Sequence, residues 1–223
     1  MKVLVVAPHP DDDVIGCGGA IIQHINDNDQ VQIIYVTSGE SGSLAILKEE
    51  LAMQREEEAA AAAQKMGVTQ TFFWRWADGY VEYGQEQLIQ VINFIREHQP
   101  DLVYLPHLQD GHIDHQVTTK VFLEGIGRAG GVCFQECLPT PWKVKTILGY
   151  EVWTPIQSPQ MNLDISDEME QKMRALSLHK SQLQNVAYDD GVRGLNRYRG
   201  AMSQVGQYVE SFQVLQTSHP LYF

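Results

Sequence analysis

Short apolar runs alternate along this chain with longer stretches whose apolar residues recur at helical spacing. Val3 to Ala7 is aliphatic and β-branched and stops at Pro8, as a strand buried on both faces would. Val14 to Asn26 spaces Val14, Ile21, Ile22 and Ile25 as a helix does; its Gly16, Gly18 and Gly19 lower helix propensity but permit close packing. Val31 to Thr37 is a second strand, closed by the turn residues Ser38, Gly39, Ser41 and Gly42. Leu44 to Met66, rich in Glu, Ala, Lys, Gln and Leu, predicts a long helix capped by Gly67. Thr71 to Trp74 is a third strand. Gln85 to His98 is a helix with Leu88, Val91, Ile92 and Ile95 on one face, and Leu102 to Leu105 is a strand beyond Pro100. A helix runs from His115 towards Leu123, Thr146 to Trp153 and Asn162 to Ile165 are later strands, and Glu168 to Gln184 is an amphipathic helix. From Asn185 to Phe223 the periodicity weakens, and the order of the late strands is not legible. Strands alternating with helices predict a Rossmann-like α/β fold, a mostly parallel sheet with helices on both faces, because parallel neighbours need crossover connections.

Composition narrows the function classes. With 223 residues and no linker or repeat, one domain spanning 1–223 is expected, and 43% apolar residues suit a globular core. Asp and Glu outnumber Lys and Arg 28 to 16, a formal charge of -12, which argues against nucleic acid and anionic lipid surfaces as partners. The run Met1 to Ala7 is too short for a signal peptide or membrane span, so the cytoplasm is the expected location. Cys17, Cys133 and Cys137 cannot all pair and lack two-knuckle zinc spacing, so they read as reduced thiols.

Two polar clusters carry the chemistry. His9-Pro10-Asp11-Asp12-Asp13 follows the first strand and precedes a helix, at the carboxyl end of a strand where open α/β sheets bind ligands. One aspartate suits a helix cap. Three adjacent carboxylates beside a histidine call for a cation, and His with Asp is a common zinc donor set. A dinucleotide loop at Gly16-Cys17-Gly18-Gly19 is excluded by glycine spacing and by the aspartates that would repel a pyrophosphate. The second cluster, Asp110-Gly111-His112-Ile113-Asp114-His115, follows the strand Leu102 to Leu105, so both clusters face one sheet edge. A nearby carboxylate can fix the tautomer of an imidazole here. The lone His24, His98 and His219 read as ordinary solvated histidines; His107 and His179 stay open. The aromatic stretch Phe72 to Tyr83, with Trp74, Trp76 and Tyr80, could wall a sugar site, but ordinary core is the stronger reading.

With those motifs, Ala7-Pro8-His9-Pro10-Asp11-Asp12 and His112-Ile113-Asp114-His115, the chain resembles the PIG-L/LmbE-like zinc deacetylases, which remove acetyl groups from N-acetylglucosaminyl compounds. Similar segments are Thr37 to Gly42, Arg55 with Glu58 and Ala62, and His179-Lys180-Ser181-Gln182. The resemblance implies His9, Asp12 and His115 as Zn2+ ligands, Asp11 as general base and His112 as general acid partnered by Asp114. It implies Arg55 as a substrate-holding residue and Tyr198, in Arg197-Tyr198-Arg199-Gly200, as a tyrosine near the substrate carbonyl. It also implies a homo-oligomer such as a hexamer. Asp13 stands where the family usually has Glu, which implies an adjusted turn with the metal kept. Zinc with three protein ligands leaves a position for water and lowers its pKa towards ~7, while Asp11 and His112 are suited to move protons. The expected substrate is a small N-acetylated sugar or glycoconjugate. Zinc amidohydrolysis of a mycothiol-, bacillithiol- or antibiotic-type conjugate is an alternative, a metal-binding protein without turnover a weaker one, and iron could replace zinc.

Overall fold

Strand β1 (Lys2–Ala7) is apolar and buried from Val3 onwards, and it lies in the middle of the sheet because both its faces are covered. Val3, Val5 and Ala7 pack on one side while Leu4 and Val6 pack on the other, following the two-residue period of a strand. The other strands are β2 (Gln30–Thr37), β3 (Gln70–Trp76), β4 (Leu102–Pro106), β5 (Thr146–Tyr150), β6 (Met161–Asp164) and β7 (Val209–Thr217). They form one sheet in the order β3-β2-β1-β4-β5-β7-β6. β1 to β5 are parallel, and β7 is antiparallel to both β5 and β6. Helices α1 (Asp12–Asn26), α2 (Lys48–Met66) and α5 (Met169–Leu176) contribute to one core layer, and α3 (Gln85–His98) and α4 (Ile113–Ala129) to the other. α6 (Lys180–Leu183) and α7 (Tyr188–Ser203) follow α5. This is the Rossmann-like, mostly parallel sheet that the alternation predicts. The connections reverse direction between β1 and β4, so the loops after these two strands meet at a topological switch point.

The computed structural model describes residues 1–43, 45–132, 134, 136–184 and 186–218. Leu44 as a helix start, Cys133 as a thiol and His219 as a solvated histidine lie outside the described residues. Cys17 and Cys137 are free and buried. Among the described residues no helix is long and apolar enough to cross a membrane.

Several predicted elements differ in the structure. α2 begins at Lys48, after a loop. The predicted helix Glu168–Gln184 is two helices, because the chain turns at His179 (ψ 60°) and Glu58 of α2 takes the Ser181 amide at 3.0 Å and the Ser181 hydroxyl at 2.6 Å. The strand from Thr146 stops at Tyr150, and the segment from Asn185 supplies α7 and β7.

α1 is broken at Cys17 (φ -145°, ψ 25°), which separates its first turn, carrying Asp12, from the rest. The break is stitched by a buried pair from distant parts of the chain. Glu210 of β7 accepts from the amides of Gly19 and Ala20 at 2.8 and 2.9 Å. Lys172 of α5, wholly buried, bonds Glu210 at 2.8 Å, the Ile15 carbonyl at 3.0 Å and Asn196 at 2.9 Å. The glycines do permit close approach here, since a Cβ on Gly19 would press into Ile165 at 2.5 Å. Removing one partner of a buried pair strands the other charge. Lys172→Met is therefore expected to lower unfolding free energy in urea by about 3–5 kcal/mol; a loss under about 1 kcal/mol, typical of surface pairs, would contradict the role given to this pair.

Candidate metal centre and its pocket

The loop after β1 turns sharply at Asp11, whose φ of 126° is one that side-chain-bearing residues rarely adopt. Arg55 holds that turn. Its guanidinium donates to the Pro10 carbonyl at 2.8 Å and the Gly39 carbonyl at 3.0 Å, and lies 3.5 Å from the Asp11 carboxylate. Gly39 (φ 65°) admits this approach, since a Cβ there would collide with the guanidinium. Burial raises Asp11 to about 7, with Arg55 pulling the other way. Arg55 lines the pocket, yet it is buried and its donors go chiefly to backbone, so the residue expected to hold substrate is first a brace for the Asp11 loop. Asp13, the departure from the family pattern, points away into the core, accepts from the Tyr35 hydroxyl at 3.0 Å and is raised to about 7 by burial.

Three donor atoms from the two predicted clusters converge. His9 Nδ1 lies 3.2 Å from Asp12 Oδ2 and 3.1 Å from His115 Nε2, and His115 Nε2 lies 3.1 Å from Asp12 Oδ2. Ligands of a tetrahedral zinc sit about 3.3 Å apart, so this triangle has the dimensions of one face of such a site. Its His, His and Asp donors suit zinc and other borderline divalent ions. His112 forms a further donor group with His9 and His115, its ring 4.8 Å from that of His9.

Carboxylates back both imidazoles. Asp110 Oδ1 lies 3.2 Å from His115 Nδ1, an ion-pair distance, although the angle falls short of a hydrogen bond. Asp78 Oδ1 and Asp114 Oδ2 each lie 3.2 Å from His9 Nε2. Burial opposes charge on both rings, but carboxylates prevail: Asp114, Asp12 and Asp78 lift His9 well above its usual value, and Asp12 and Asp110 lift His115 to about 9. Asp12 in turn is held far below the carboxylate range because the two imidazoles outweigh its burial.

Asp114 is not the side-chain partner of His112. Its carboxylate accepts from the amides of Gly79 and Val81 at 2.7 and 3.2 Å and faces His9, because α4, capped by His112, turns Asp114 inward in its first turn. His112 instead caps α4, its Nδ1 accepting from the Asp114 amide at 3.2 Å. A neutral ring in that role carries its proton on Nε2. Burial, followed by the nearby His9 and His115, lowers the His112 pKa.

A cavity of about 430 Å³ opens over the cluster, lined by His9, Asp11, Asp12 and His112 and by residues of several other loops. Asp78, which lines the cavity, belongs to no motif in the sequence; its only local signal is its place just after β3, on the same sheet edge. Trp153, Tyr188 and Gln182 also line the cavity, and only folding brings them there. Tyr198 does not; it is 57% exposed on α7, while its neighbour Arg199 bonds Glu151 behind the pocket. Trp74 is stacked on Phe122 with ring centres 5.3 Å apart, and Phe72, Phe73 and Trp76 are likewise partly buried against the core, whereas Tyr80 and Tyr83 are exposed. His24 bonds Asp29 and Tyr104, and His98 stacks on Phe94, both outside the site. His107 bonds the Thr154 carbonyl at 2.7 Å, and His179 is buried, its pKa pushed down to about 3 by desolvation.

The family model described as PIG-L, GlcNAc-PI de-N-acetylase, matches residues 4–126, which contain both clusters. The diacetylchitobiose deacetylase of Thermococcus kodakarensis is 30% identical over 218 residues, covering 91% of this chain and 79% of the relative. The solved N,N'-diacetylchitobiose deacetylase of Pyrococcus horikoshii, complexed with its inhibitor MPG, has a TM-score of 0.86 at 27% identity, covering 96% of this chain and 83% of that one. A 4-carboxy-2-hydroxymuconate hydratase of Pseudomonas putida KT2440 has a TM-score of 0.88 at 22% identity, covering 100% and 99%, a likeness of fold alone. One fold thus carries more than one chemistry, and the site has to decide between them. On the matched segment and on its identity to the Thermococcus enzyme across most of its length, this chain belongs to the PIG-L family.

Proposed function

We propose that this protein is a zinc-dependent hydrolase that removes the acetyl group from an N-acetylated sugar, working as one catalytic domain over residues 1–223. The observation that carries the reading is the triangle of His9, Asp12 and His115 donors with the Asp11 carboxylate beside it, beneath a cavity of about 430 Å³. These three residues would hold the cation. Bound there, zinc supplies Lewis acidity towards an amide carbonyl and makes hydroxide available near neutral pH.

The chain's own residues then divide the work. Asp11, buried and tuned to about 7, takes a proton from water and can return it to the departing amine. Arg55 keeps Asp11 in its strained turn and limits the rise that burial alone would impose. His112 presents Nε2–H to the oxygen on which negative charge develops, its other nitrogen being occupied with the helix amide. Serving as general acid would need a proton on Nδ1 as well, at the cost of that cap. Asp110 and Asp114 orient the ligating imidazoles.

Asp11→Asn keeps the metal donors and removes the base, so metal content by atomic absorption should be unchanged while acetate release falls by about 10²–10⁴-fold. Turnover at the parent rate would remove Asp11 from the mechanism. Asp110→Asn and Asp114→Asn should each weaken zinc binding about 10–100-fold in a competition titration with a chromogenic chelator. Parent affinity in both variants would deny the carboxylates their orienting role.

A further inference from the structure

The strand order places three sets of loops in a line across the pocket. The metal donors sit in the middle, after β1 and β4. Ser41 and Asp78 come from the loops after β2 and β3 on one side, and Gln182 stands beside Gly42 there. Val152 and Trp153 come from the loop after β5 on the other side, where Tyr188 meets Trp153. One wall is thus polar and the other apolar and aromatic.

Trp153 is 55% exposed, and exposure alone would say little. What distinguishes it is that its backbone is pinned while its ring is left open. The Trp153 amide donates to Asp110 Oδ2 at 3.0 Å, and Asp110 is the same carboxylate that faces the ring of His115. On either side, His107 contacts the Thr154 carbonyl at 2.7 Å, and Arg199 donates to the Ile156 carbonyl at 2.6 Å while pairing with Glu151. The indole stands 5.9 Å from the His112 ring, and Tyr188 meets it at 90° with ring centres 6.3 Å apart. Binding a ligand against a ring carried on a pinned backbone leaves less of the chain to be ordered.

A pyranose has the complementary form, with apolar C–H groups on its faces and hydroxyls around its edge. We propose that Trp153, cornered by Tyr188, is the stacking platform for the pyranose ring that carries the acetamido group, with Ser41, Asp78 and Gln182 facing the ring's hydroxyls. The inference rests on the deacetylase reading for its choice of sugar, but binding and turnover test the two separately.

The test is calorimetric titration of N-acetylglucosamine into zinc-loaded Asp11→Asn protein, with and without Trp153→Ala in that background, alongside KM for acetate release in the otherwise unaltered enzyme. Trp153→Ala should weaken sugar binding about tenfold and raise KM similarly, and Trp153→Phe should recover affinity to within about threefold. Zinc content, measured in every variant, reports whether the pocket still folds. Equal affinity with and without the indole, or no sugar binding by the Asp11→Asn parent, overturns the platform. Acetate release with an unchanged KM in Trp153→Ala overturns the platform and leaves the reaction standing. Sugar binding that depends on Trp153 without acetate release from the unaltered enzyme supports the platform and overturns the reaction.

Discussion

Four carboxylates, Asp12, Asp78, Asp110 and Asp114, are buried around two imidazoles, and each lies within 3.1–3.2 Å of a His9 or His115 ring nitrogen. So much negative charge held out of water needs compensation in kind. Protons on the two imidazoles supply part of it, which is why both rings are driven towards the charged form. A divalent cation held by His9, Asp12 and His115, as proposed, would supply it more completely, leave the rings neutral and give the outer carboxylates imidazole N–H groups to accept from. The rest of the structure serves this concentration of charge. The sheet switch point gathers the two loops, the Lys172–Glu210 pair fixes the broken helix that carries Asp12, and Arg55 clamps the strained turn beside it.

The clamp explains how three adjacent aspartates acquire three environments. Asp12 faces the imidazoles and stays ionised, Asp11 faces Arg55 and the cavity at a proton affinity near neutrality, and Asp13 turns to Tyr35 in the core. The positive φ at Asp11 is what separates neighbouring side chains into these directions. Its strain is offset by the two carbonyls that Arg55 grips, one on each of two loops.

The parts of this arrangement legible in the sequence are those with local causes. Strands β1 to β4 announce themselves as apolar runs, and His9, Asp12 and His115 lie in short motifs at strand ends, where the fold class alone predicts a ligand site. Residues that act through tertiary placement were not legible. Asp78 carries no motif, Trp153 and Tyr188 lie 35 positions apart in the chain, and the direction of the Asp114 carboxylate depends on the amides of Gly79 and Val81. The same limit applies to β7, which enters between β5 and β6 from the far end of the chain, and to the turn at His179 that Glu58 imposes on an otherwise continuous helical pattern.

Because the same fold also carries a hydratase, the central claim is the one about metal and amide together. The most direct test is acetate release from N-acetylglucosamine and diacetylchitobiose by chelator-stripped protein before and after one equivalent of zinc is restored. The account predicts no release from the stripped protein and recovery with zinc. Equal release in both states would contradict it, and so would failure to release acetate from either sugar with zinc bound.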